Sequence, residues 1–164
     1  MAAESPAELI SGFRLKHGEV RVVRDTTLDR IALEQARAMA AKNDLGHEVL
    51  GPFSSRIAPA RAGRAAENIA YGYESFDKTL GQWIDSSGHR KNLLLHNASR
   101  VGVASAKDAS GKRTYWAMVI AGDYEPKPTS KRNKEPLVAV KREVKPLSRP
   151  KSSGCHIKVL SLCI

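Results

Sequence analysis

Cysteine is nearly missing from this chain: among 164 residues only Cys155 and Cys163 occur, both close to the carboxyl end. A disulfide framework and a cysteine-ligated zinc site are therefore excluded for everything before them. Cys163 is next to last rather than fourth from last, so the end of the chain is not a prenylation box. Long apolar runs are missing too, and nothing approaches the roughly 20 residues that a membrane helix requires. The opening Met1-Ala2-Ala3-Glu4-Ser5 is acidic early and leads into no apolar stretch, so it does not read as a signal peptide. The glycines around Gly63 and Gly72 lack the spacing of a phosphate-cradling loop. There is no Gly-x-Ser-x-Gly elbow either, which removes the commonest serine-hydrolase arrangement.

Positive charge is abundant but uneven. The whole chain carries a formal +10 with a pI near 9.9, which taken alone points to nucleic acid or an anionic surface. Residues 126–164 hold ten Lys/Arg against two Glu, a net +8, and residues 1–125 are left with only +2. Five of the eight prolines also lie in 126–164, a composition too polar to bury a core. The chain thus divides into a body, 1–125, and a basic Pro/Lys-rich tail, 126–164, read as a disordered extension. Any polyanion argument concerns the tail alone.

The body has clear helical punctuation. Ser5 to Lys16 presents Leu9, Ile10 and Phe13 on one side. Thr26-x-x-Asp29 reads as a capping box opening a helix to Lys42, with Leu28, Ile31, Ala32, Ala36 and Met39 facing inward. The Ala-rich stretch 62–71 predicts a short helix stopped by Gly72. Ser75 caps a segment with Phe76, Leu80, Trp83 and Ile84 at helical spacing, and a brief helix runs from His89 to Leu94. Arg100 to Ala106 and Thr114 to Ala121 alternate like strands, and the turn signal Asp108-Ala109-Ser110-Gly111 joins them into a hairpin. Short helices with a small antiparallel sheet make an α+β layered domain.

Chemistry in the body rests on histidine and glutamate. His47 follows a helix end at Leu45-Gly46, His89 opens a short helix after Gly88, and Glu67 lies between apolar neighbours. Burying that carboxylate costs several kcal/mol unless a cation neutralises it; an imidazolium, or a metal held by imidazoles, would serve. Spacing alone leaves open that the two histidines are unrelated and that Glu67 is an ordinary solvated helix residue.

Five blocks in order carry a resemblance. The most specific are Ala66-Glu67-Asn68-Ile69-Ala70-Tyr71-Gly72 and Trp83-Ile84-x-Ser86-Ser87-Gly88-His89-Arg90-x-Asn92-Leu93-Leu94. With them come Leu45-Gly46-His47 after its helix, Val101-Gly102-Val103-Ala104 and Tyr115-Trp116-Ala117-Met118-Val119. Over about residues 5–124 the chain resembles the CAP superfamily of cysteine-rich secretory proteins, antigen 5 and pathogenesis-related class-one proteins, in its shorter, disulfide-free bacterial branch. The resemblance implies a three-layer α-β-α sandwich with a central cleft where two histidines and acidic partners can hold a divalent metal, usually zinc. Carried over by motif, the metal-binding histidines are His47 and His89, and Glu67 is the first acid and the candidate catalytic base. The second acid falls on Ser86. Ala117 and Met118 stand where the family usually has Thr and Gln, and His96 stands where bacterial relatives commonly have Pro.

The leading reading is a non-enzymatic binding module whose His/Glu cleft takes a divalent metal, a small apolar ligand or a partner protein. The resemblance implies an extracellular or periplasmic site; without a signal peptide in this chain, a cytoplasmic one is the alternative. Two further functional readings stand beside it: a metal-assisted hydrolase or peptidase using His47, His89 and Glu67, and a polyanion-binding protein acting through the tail.

Overall fold

The computed structural model describes residues Glu4–Asp123. The basic segment 126–164, read above as disordered, lies outside the described residues, as do both cysteines.

The first helix, α1 (Pro6–Lys16), begins where expected because Ser5 and Glu8 close a reciprocal capping box, with Pro6 at its first turn. The long helix α2 (Thr26–Lys42) has a different cap from the one its sequence suggests. Asp25, not Thr26, accepts the N–H groups of Thr27 and Leu28, at 2.8 and 3.0 Å. Asp29 is thereby free to reach out of the helix and accept the Val103 N–H at 3.0 Å. Asn43 ends α2 in the left-handed conformation at φ 50°. A short helix α3 (Phe53–Ile57) and a single 3₁₀ turn (Ala58–Ala60) follow, then α4 (Phe76–Asp85) and α5 (Ser87–Leu93).

The strands are β1 (Val23–Arg24), β2 (Arg64–Tyr71), β3 (Arg100–Lys107) and β4 (Thr114–Gly122), in the spatial order β1-β3-β4-β2. Two expectations need correction. The stretch 62–71 is not a helix: from Arg64↔Gly122 to Tyr71↔Tyr115 it pairs antiparallel with β4 along its whole length. Its alanines favour a helix in isolation, but pairing and two-sided burial override that weak local preference. The sheet is also mixed rather than purely antiparallel, because β1 adds a two-residue parallel pairing to β3.

Central β4 shows why three layers form. Every residue from Thr114 to Gly122 is buried, and alternate side chains enter different cores. Tyr115, Ala117, Val119 and Ala121 pack with Leu28, Ala32, Ala36 and Met39 of α2. Trp116, Met118 and Ile120 pack with Ile10 of α1, Leu80 and Trp83 of α4, and Leu93 of α5. The result is α2 on one face, the sheet in the middle, and α1, α4 and α5 on the other: the three-layer α-β-α sandwich that the resemblance implied. Close approach of α2 to the sheet depends on Gly102, where a Cβ would run into the backbone of Leu28 and Asp29. Arg14, fully buried, ties the outer helices together by donating to the carbonyls of Val20, Leu93, Leu95 and Ala98 at 2.7–3.2 Å.

Candidate functional site

At one edge of the sheet lies β2, paired with β4, and alternation along it sends its residues in two directions. Ile69 enters the α2-side core and Ala70 the opposite one. By the same parity Glu67 faces the α2 side and Asn68 the side of α5. Each then meets a different histidine-bearing segment at the strand's edge.

On the α2 side, the Glu67 side chain is only 2% exposed. His47 Nδ1 lies 2.8 Å from its Oε1, and the His47 side chain is about half exposed. Arg56, on α3, donates from both guanidinium nitrogens to both carboxylate oxygens, at 2.7 Å to Oε2 and 2.9 Å to Oε1. The same guanidinium donates to the His47 carbonyl at 2.9 Å and to the Gly51 carbonyl at 3.3 Å, and it lies over the Phe53 ring. Gln35 of α2 supports the loop from beneath, its amide donating to the Gly46 carbonyl at 2.7 Å. A neutraliser for Glu67 is thus found, but the main one is Arg56.

On the other side Asn68, fully buried, donates to the His89 carbonyl at 3.0 Å. Asn92 donates to Asn68 Oδ1 at 2.9 Å and to the Glu67 carbonyl at 3.1 Å. The Glu-Asn and His-Arg-x-Asn blocks are therefore one hydrogen-bonded unit that fixes the start of α5 on β2. His89 is half-buried; burial first, and then the neighbouring charge of His47, hold its imidazole below the usual histidine value. Its Nδ1 is buried with no hydrogen-bond partner among the described residues. The ring opens onto a cleft of about 360 Å³ lined by Leu45, Ile69, Tyr71, Tyr73, Gln82 and His89. Tyr71 and Tyr73 are each nearly half exposed. Both are held in place: Arg113 lies over the Tyr71 ring, and the Tyr73 carbonyl accepts the Trp116 indole N–H at 2.7 Å.

The five blocks fall on β2, β3, β4, the α4–α5 pair and the loop after α2, all within one layered domain, and the family model for the cysteine-rich secretory protein family, CAP, matches residues 7–120. The chain belongs to the CAP family. The CAP domain is 33% identical over 110 residues to the uncharacterized protein YkwD of Bacillus subtilis (strain 168), a match covering 63% of this chain and 42% of YkwD. It is 29% identical over 100 residues to the uncharacterized membrane protein YlbC of the same organism, covering 58% of this chain and 29% of YlbC. The chain thus matches less than half the length of either relative. Among solved structures, an outer surface protein from Borrelia burgdorferi superposes with a TM-score of 0.64 at 18% identity, over 72% of this chain and 90% of that one. An extracellular protein containing a SCP domain from Bacillus anthracis gives 0.62 at 20% identity, over 75% of this chain and 45% of that one. At these identities the likeness establishes the fold.

A zinc ion, which the family implies, is poorly matched by the donor set of this CAP domain. Ser86, at the second acidic position, supplies no carboxylate and serves instead as the joint between α4 and α5. Glu67 is taken by Arg56. His89 lacks the acceptor on Nδ1 that usually orients a metal-binding imidazole. Among the described residues no three His, Cys, Asp or Glu side chains are gathered to hold one ion. What remains is two imidazoles, short of the three protein ligands usual for a catalytic zinc.

Arg56 is the member of this cluster that the sequence does not disclose. It stands in Phe53-Ser54-Ser55-Arg56-Ile57, outside the five blocks, and only the placement of α3 brings it against Glu67. His96, noted as a departure, is an exposed residue beside Glu19, with 3.2 Å between His96 Nδ1 and Glu19 Oε1. Ala117 and Met118 are fully buried core residues.

Proposed function

We propose that this CAP domain is a non-enzymatic binding module whose cleft takes a small apolar or aromatic ligand against Leu45, Ile69, Tyr71 and Tyr73. Gln82 and His89 supply the few polar contacts. The observation that carries the reading is the cleft itself: about 360 Å³, with the aliphatic and aromatic side chains of Leu45, Ile69, Tyr71 and Tyr73 set beside the polar Gln82 and His89, a combination that small-molecule sites use. A His89 held below its ordinary pKa by burial and by His47 is neutral near pH 7 and offers one hydrogen bond to an uncharged ligand. A hydrolase is disfavoured because the proposed base, Glu67, is 2% exposed and has three of a carboxylate's roughly four acceptor positions taken, two by Arg56 and one by His47, whereas a general base must lie within reach of the proton it takes.

Titration with the fluorescent apolar probe anilinonaphthalene sulfonate tests the reading. The native protein should bind it saturably, and Tyr73→Ala should weaken binding without loss of fold by circular dichroism. Saturable binding that is equal in native protein and Tyr73→Ala contradicts it.

An extracytoplasmic setting is part of this proposal, supported by the names of structural relatives, "outer surface" and "extracellular". No described helix is long and apolar enough to cross a membrane. A second reading concerns 126–164, whose net +8 favours polyanion contact. Deleting it should abolish binding to an anionic polymer such as heparin, with a steep salt dependence beforehand; full retention of affinity contradicts this reading.

A further inference from the structure

We propose that Arg56 is a built-in counter-cation that withdraws Glu67 from divalent metals, turning the family's acid into a structural latch and denying zinc its carboxylate ligand. The inference is independent of which ligand the cleft takes.

A carboxylate buried on an edge strand needs one strong positive partner. Arg56 supplies it with the planar two-point geometry that suits a carboxylate best. Its side chain is 9% exposed, and the guanidinium is held on four acceptors: both Glu67 oxygens and the carbonyls of His47 and Gly51. Stacking on Phe53 fixes the plane of the fork. This is a preorganised cation, not a surface arginine that happens to pass.

A divalent ion on Glu67 would put a second concentrated positive charge beside that guanidinium. It would also have to break the two-point pair. Displacing Arg56 would further release the His47 and Gly51 carbonyls, which fasten the loop carrying one of the two imidazoles. The ion would therefore lose its support while gaining its ligand. Arg56 and a metal compete for one carboxylate, and the arginine is covalently present.

The test is zinc calorimetry on the full chain. Because Cys155, His156 and Cys163 could bind zinc themselves, every protein carries Cys155→Ser, His156→Gln and Cys163→Ser. In that background Glu67→Gln should leave zinc affinity within about twofold. Arg56→Met should raise affinity by about tenfold or more, the scale on which single changes around metal ligands act, and adding Glu67→Gln to it should cancel the gain. A folded Arg56→Met with unchanged affinity overturns the proposal. So does a loss of about tenfold or more in Glu67→Gln alone, which decides the matter even if Arg56→Met fails to fold.

Discussion

Arg56 and Glu67 form a two-point ion pair at 2.7 and 2.9 Å on the edge of the sheet, with both side chains largely withdrawn from water. Pairs of this kind are weak evidence of net stability but are costly to break from one side. Arg56→Met should therefore destabilise the domain by about 3–5 kcal/mol, read as a shift of the urea midpoint. Arg56→Met combined with Glu67→Leu should recover most of it, since two apolar groups leave no charge stranded. A double variant as unstable as the single one would show that the pair is held for some other reason.

Asn68 and Asn92 carry the motif that sets His89. Asn68→Ala removes the donor to the His89 carbonyl and the acceptor for Asn92, leaving buried polar groups unpaired at about 1–3 kcal/mol. A double-mutant cycle with Asn92→Ala should give a coupling energy clearly different from zero, because the two share one hydrogen bond. Strict additivity would separate them.

Asp25 predicts an acid-sensitive helix start. Burial pushes its carboxyl up, but the Leu28 N–H, the Arg100 guanidinium and the Thr27 N–H outweigh this and hold it below the ordinary Asp value. The folded state thus binds its proton less readily than the unfolded chain. The contribution is present above the ordinary Asp value and is lost as pH falls through the lower, folded one. Asp25→Ala should cost about 1 kcal/mol at neutral pH, and the gap between variant and native protein should narrow in urea melts carried below about pH 4. A gap that stays constant into strong acid would mean that the carboxylate charge contributes nothing.

Gly102 is the contact point between α2 and β3. The two nearest atoms that an added Cβ would meet belong to the backbone of Leu28 and Asp29 and the third is Leu28 Cβ, none of which can swing aside, so Gly102→Ala should cost at least the roughly 1–3 kcal/mol of ordinary overpacking. Gly81→Ala, where the added carbon meets nothing, is the matched control and should be neutral or slightly stabilising in the same melt.

Much of this architecture is legible in the residues, for physical reasons that differ by element. The helices starting at Pro6 and Thr26 announce themselves through apolar spacing and acidic or hydroxyl residues at their starts. The β3–β4 hairpin does so through alternation and the Asp108–Gly111 turn. The strand β2 hides because Ala65, Ala66 and Ala70 favour a helix locally, and only the pairing with β4, distant in sequence, makes them extended. Asp25 is overlooked as a cap because Thr26 and Asp29 imitate a capping box one residue later. His47, Glu67 and His89 emerge through family resemblance rather than spacing. Arg56 could not be found that way, since its meaning depends on where the short helix α3 settles against β2.

The most direct measurement is anilinonaphthalene sulfonate binding to the native protein, followed by fluorescence after exhaustive chelation and again after zinc is restored. A cleft that takes apolar ligands without a metal should give the same saturable binding in both conditions, weakened alike by Tyr73→Ala. Probe binding that vanishes on chelation and returns with zinc would contradict the account.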